Sequence, residues 1–138
     1  MEPSVRDEQV HRYSRHILLP DVGGLGQAAL FRSTARVTVS REPAADLIAA
    51  TYLAAGGVGT MAVTGATDDE LAAIAKAGVD THVVAGNPGT PGTTSNGTDV
   101  VLAPPPPWWP GADGDATALA FWRGGEAAVR WMADVANR

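Results

Sequence analysis

From residue 35 to residue 103 the chain switches repeatedly between a strand period and a helix period, and that alternation limits its fold more than any other feature. Ala35-Arg36-Val37-Thr38-Val39 alternates and is β-branched, the pattern of a strand. An apolar helix spans 44–55, carrying Leu47, Ile48, Tyr52 and Leu53, and Gly56-Gly57 ends it. Thr60-Met61-Ala62-Val63-Thr64 is a second strand. Asp68-Asp69-Glu70 opens the next helix with acids at the positive end of its dipole, and Gly78 closes it after Ala77. Residues 79–85 read as a third strand and Asp99-Val100-Val101-Leu102-Ala103 as a fourth. Strands alternating with helices need crossover connections, so the fold class expected is α/β, a parallel sheet with right-handed crossovers.

Around this core lie an N-terminal arm and a closing helix. Val10, Tyr13, Ile17 and Leu18 recur at helical spacing; Pro20 and Gly23-Gly24 interrupt them, and Gln27-Ala28-Ala29-Leu30 starts a second short helix. Residues 86–98, rich in Gly, Pro, Thr, Ser and Asn, read as a mobile loop. Pro104 to Pro107 form a stiff extended run before Trp108 and Trp109. The 138 residues make one domain: a helical arm over 1–34, a βαβ core over 35–103, a Pro/Trp-rich linker over 104–114 and a closing helix over 115–138.

Charge and composition exclude several functions. A net charge of −5 argues against nucleic acid or an anionic membrane as partner. The absence of cysteine removes a disulfide framework, a thiolate zinc site and a cysteine nucleophile together. His11, His16 and His82 are scattered and define no metal site. The N-terminus is charged, and no apolar run approaches the roughly 18 residues of a membrane span, so the expected location is the cytoplasm.

Two segments carry a family likeness: Arg12-Tyr13-Ser14-Arg15-His16-Ile17-Leu18-Leu19-Pro20, and Leu53-Ala54-Ala55-Gly56-Gly57-Val58-Gly59-Thr60. Together they resemble the start of a ThiF/MoeB-type adenylyltransferase, the fold of the ubiquitin-activating enzymes. The resemblance covers residues 8–63 well and the rest by pattern. It implies a truncated Rossmann-like parallel sheet flanked by helices, with an N-terminal helical arm. It also implies that the arm packs at a dimer interface through Arg12, Tyr13, Arg15 and Ile17. Arg15 would then reach as a finger into the neighbour's nucleotide site.

The residues that would grip a nucleotide in such an enzyme are replaced here. Its glycine-rich turn cradles phosphate with backbone N–H groups. In this chain Ser40, Arg41, Glu42 and Pro43 fill that turn. Pro43 has no N–H to donate, and Glu42 sets a carboxylate where a phosphate would sit. At about 4 Å two such charges repel by roughly 1 kcal/mol in water and about 4 kcal/mol at an effective dielectric of 20. Glu42 is expected to complement the helix dipole itself, with Arg41 offsetting part of the repulsion. The second strand ends Val63-Thr64-Gly65-Ala66 where a ribose-binding acid is expected. Asp68-Asp69-Glu70-Leu71 replaces a polar group and a lysine, and the fourth strand runs into Ala103 instead of a magnesium-binding aspartate. Gly56-Gly57-Val58-Gly59 follows a helix, so it is a helix stop rather than a phosphate loop.

The expected function is that of a non-catalytic ThiF/MoeB-like protein acting through protein contacts. Its partner is itself, in a homodimer, or an intact ThiF/MoeB-type subunit. No catalytic residue, metal or cofactor is assigned, and ATP binding is expected to be weak or lost. The alternative is a small-molecule-binding protein, or an enzyme with new chemistry in the remodelled crevice. The 86–98 loop and Trp108-Trp109 would close over that ligand. The two tryptophans read either as a pocket or partner anchor, or as a cover over an open end of the sheet.

Overall fold

The computed structural model describes residues 6–13, 23–86, 97–111 and 114–137. In chain order its elements are α1 (Asp7–Arg12), α2 (Gly23–Phe31), β1 (Thr34–Thr38), α3 (Pro43–Ala55), β2 (Thr60–Thr64), α4 (Asp68–Ala77), β3 (His82–Ala85), β4 (Thr98–Asp99) and α5 (Ala116–Ala136). The four strands pair in parallel in the order β3-β2-β1-β4. The result is a Rossmann-like α/β sheet: β1, β2 and β3 step outward in one direction, and β4 returns to the far side of β1.

Register divides the sheet into unlike faces. Ala35, Met61 and Val83 stand in one row, and Val37, Val63 and Ala85 in another on the same face. On that face Ala35, Val37, Met61 and Val63 join Leu53 of α3, Ile74 of α4, Leu30 of α2, and Trp131 and Val135 of α5 in one core. The opposite face carries Thr34, Arg36, Thr38, Thr60, Thr64 and His82, none of which belongs to the core cluster. Parallel sheets usually bury both faces behind apolar residues; here the Thr-Ala-Arg-Val-Thr alternation makes β1 one-sided, while β2 buries Ala62 on the opposite face as well as Met61 and Val63 on the core face.

Local chemistry sets the boundaries. Thr67 caps α4 by accepting from the Glu70 N–H, while the Glu70 carboxylate accepts from the Thr67 N–H, a reciprocal pair that fixes the first turn. Asp115 caps α5 by accepting from the N–H groups of Thr117 and Ala118. After α3 the chain turns through Gly57 at φ 88°, a conformation that glycine alone adopts readily. At Gly59 a Cβ would stand 2.0 Å from the Phe31 carbonyl oxygen, so α2 and the β2 entry meet backbone to backbone.

Two strands are shorter than the sequence pattern implies. β3 begins at His82, not residue 79, because the Thr81 N–H donates to the Gly78 carbonyl and holds residues 78–81 in a turn. β4 pairs only at Thr98 and Asp99, followed by one bond from the Val100 N–H to the Arg36 carbonyl. Side chains of α5 take carbonyls along this segment: Trp131 Nε1 donates to Thr98, and beyond the ladder Arg130 donates to Val101 and Arg123 Nε to Ala103. The prolines at 104–107 have no N–H with which to extend a ladder.

α5 leans directly on α3. A Cβ at Gly124 would stand 2.6 Å from the Ala45 carbonyl oxygen, so the helices cross at a glycine. The same side of α5 buries Arg123, Ala127, Ala128, Trp131 and Val135.

Candidate functional site at the carboxyl edge of the sheet

Because β2 and β4 flank β1 on opposite sides, the chain connections diverge at the carboxyl end of β1, and a crevice opens there in folds of this kind. The turn from β1 into α3 borders it. Val39 continues the ladder, its N–H donating to the Thr64 carbonyl at 2.8 Å. Ser40 then turns inward. Its N–H and its hydroxyl both donate to Asp46 Oδ2 at 2.8 Å, and Asp46 is buried in the first turn of α3. A backbone N–H of the kind that holds phosphate is thus already bound to a carboxylate of the same chain.

Glu42 is the N-cap of α3, and Pro43 begins the helix without an N–H. The Glu42 side chain makes no capping hydrogen bond. Its carboxylate pairs instead with the guanidinium of Arg123, which α5 holds almost fully buried. Arg123 Nε also donates to the Ala103 carbonyl at 2.8 Å, so one side chain ties the β1–α3 turn to α5 and to the segment after β4.

Arg41 is exposed, and the cation that meets Glu42 is Arg123, 81 residues further on. No local pattern marks that partner. The useful signal was burial, since an arginine between Trp122 and Gly124 on the inner side of an apolar helix needs an anion or carbonyls.

Thr64 ends β2 where the ribose acid was sought, and Asp68 and Asp69 are exposed on the first turn of α4. Among the described residues, no group of three His, Asp or Glu side chains could hold a metal ion.

The arm residues fall at the opposite, amino edge of the sheet. Tyr13 is 4% exposed, packs edge-on against Phe31 with ring centroids 5.4 Å apart, and donates its hydroxyl to Asp80 Oδ2 at 2.8 Å. Arg12 pairs with the same carboxylate, and Arg6 approaches it at 3.6 Å. Burial first, then the bond to Asp80, pushes the Tyr13 hydroxyl up to about 12. Burial alone would raise Asp80, yet hydrogen bonds from Tyr13, Arg12 and Gln9 outweigh it and hold the carboxyl below its ordinary value. Arg12 and Tyr13 thus fasten α1 to their own chain. Arg15 and Ile17, the finger and its neighbour at the expected interface, lie outside the described residues, as do residues 87–96 of the loop.

Trp108 belongs to an aromatic cluster with Trp109 and Trp122. It is 67% exposed, with its ring edge-on to Trp109 at 6.4 Å and to Trp122 of α5 at 6.1 Å. Trp109 is half-buried, and a Cβ at Gly114 would come within 2.4 Å of its ring.

Among the described residues no helix is long and apolar enough to cross a membrane. No family model matches the chain. Two curated maize (Zea mays) proteins, adenylyltransferase and sulfurtransferase MOCS3-1 and MOCS3-2, are each 41% identical to it over 68 residues, or 49% of this chain and 14% of theirs. The match thus spans a small part of those relatives' length. Over that half of the chain, the likeness supports a ThiF/MoeB-like origin.

Proposed function

We propose that this chain is a non-catalytic ThiF/MoeB-like protein that acts by protein contact, as a homodimer or as the inactive partner of an intact adenylyltransferase subunit. The observation that carries the reading is the filled amino end of α3. Asp46 takes the Ser40 N–H and hydroxyl, Pro43 supplies no N–H, and the Glu42 carboxylate holds Arg123. A nucleotide phosphate arriving there would meet two carboxylates, and the nearby buried cation is already engaged. In the form with an intact partner, Arg15 is the residue that reaches the partner's nucleotide.

Calorimetric titration with Mg-ATP tests the reading. No heat at millimolar nucleotide is the expected result, and micromolar binding would overturn it. A Glu42→Gln variant sharpens the test, because it removes one carboxylate and releases the Arg123 guanidinium. Inorganic phosphate should bind the variant more tightly than the wild type, by about tenfold for a contact of roughly 1.4 kcal/mol.

A further inference from the structure

We propose that the outward face of α5 is a self-docking surface on which two copies of this chain pair with their α5 helices antiparallel. The proposal deepens the protein-contact reading in its homodimer form and rests on it. Three observations converge on this face.

The first is a glycine without an internal purpose. Gly124 is required, since its Cβ would strike the Ala45 carbonyl oxygen at 2.6 Å. Gly125 is not: its Cβ would meet only Tyr52 Cε2 at 3.7 Å, an ordinary contact. A glycine in the interior of a 21-residue helix weakens that helix. Its gain is a notch where another backbone can approach closely, on the side of α5 that the chain leaves open.

The second is the order of side chains along the notch. Phe121, Gly125, Val129 and Ala133 form an i, i+4, i+8, i+12 row along a groove of about 550 Å³. Rows of this spacing are the ridges that interdigitate in the commonest helix packing, crossing at about −50°. Read in reverse, the row is Ala, Val, Gly, Phe. A two-fold axis through its midpoint sets Phe121 of each copy over Ala133 of the other, and Val129 into the notch at Gly125. Large meets small at every step, as a self-complementary two-fold contact requires.

The third is area. Phe121 is 54% exposed, Val129 63% and Trp108 67%, with Trp122 and Tyr52 beside them. With aromatic side chains of about 150–250 Å², these residues present on the order of 500 Å² of apolar surface per copy. That reaches the upper range of patches on ordinary monomers. It supplies most of the roughly 800 Å² per partner of a standard interface.

Sedimentation equilibrium of the full chain, from low micromolar to millimolar concentration, tests the pairing. The wild type should be dimeric, and Gly125→Val should weaken the dimer by about thirtyfold, as expected on losing a central anchor. The reciprocal variant, Gly125→Val with Val129→Gly, restores a large residue against a small one across the axis and should recover the dimer. All of these positions lie outside the core, so circular dichroism should show the same fold throughout. A wild type that stays monomeric at millimolar concentration overturns the proposal, as does a dimer indifferent to Gly125→Val or a reciprocal variant that fails to recover. A dimer that binds Mg-ATP would sink the non-catalytic reading and leave the interface standing; a monomer that binds none would do the reverse.

Discussion

The two edges of the sheet are built by different means. At the amino edge, α2 and the β2 entry touch backbone to backbone at Gly59, and Tyr13 seats its ring on Phe31 beside Gly57. At the carboxyl edge, charges hold the β1–α3 turn: Ser40 on Asp46, and Glu42 on Arg123. Close backbone packing tolerates few substitutions, because no side chain can move aside. A turn held by ion pairs can be refilled by whichever partners reach it. The amino edge holds Tyr13, Gly57 and Gly59, which belong to the segments that carry the family likeness, and the carboxyl edge is held by an internal salt bridge.

Substitutions can break this contrast in order of size. Gly59→Ala should be the most damaging, because the new methyl group lands on the Phe31 carbonyl and neither backbone can retreat. About 3 kcal/mol of stability should be lost in urea unfolding, and a loss near zero would mean that the edge is plastic. Arg123→Ala should cost about 2 kcal/mol by the same measurement, since it strips a cation from Glu42 and a donor from the Ala103 carbonyl. Its control, Arg41→Ala, removes an exposed side chain and should change stability by less than about 0.5 kcal/mol; equal costs would return the offsetting role to Arg41.

Tyr13→Phe should cost about 1 kcal/mol near neutral pH, the worth of one hydrogen bond. Its pH dependence has two limbs. Asp80 is held below its ordinary value of 3.8, so its contribution is complete above that pH and fades as pH falls through the lower folded-state value. The Tyr13 hydroxyl is raised from 10.0 to about 12, so its contribution is complete below pH 10 and fades as pH climbs toward 12. The alkaline limb should vanish in Tyr13→Phe and the acid limb should shrink; an unchanged alkaline limb would detach Tyr13 from the lock.

Much of the fold was legible in the sequence. β2 and α4 occupy the expected residues, because three acids at a helix start, a glycine at its end and a short apolar run are signals confined to a few neighbours. α3 and α5 differ from expectation only at their ends. β4 was overread: Asp99-Val100-Val101-Leu102-Ala103 has strand composition, but α5 side chains claim its carbonyls and no composition reports that. The site was half legible. Ser40, Arg41, Glu42 and Pro43 were read as filling a phosphate turn, while Asp46 and Arg123, which hold those residues in place, carry no periodic signature. Tyr13 was read as an interface residue, and its partner Asp80 stands 67 residues away.

The bond between Glu42 and Arg123 also fixes an order of events during synthesis. At about 5–20 residues per second, the arginine leaves the ribosome several seconds after the glutamate it will meet. In that interval β1, α3, β2, α4 and β3 can assemble, but the inner side of α3 lacks the helix that covers it. The β1–α3 turn therefore stays electrostatically unfinished until α5 arrives, and the nascent chain carries an open flank until then.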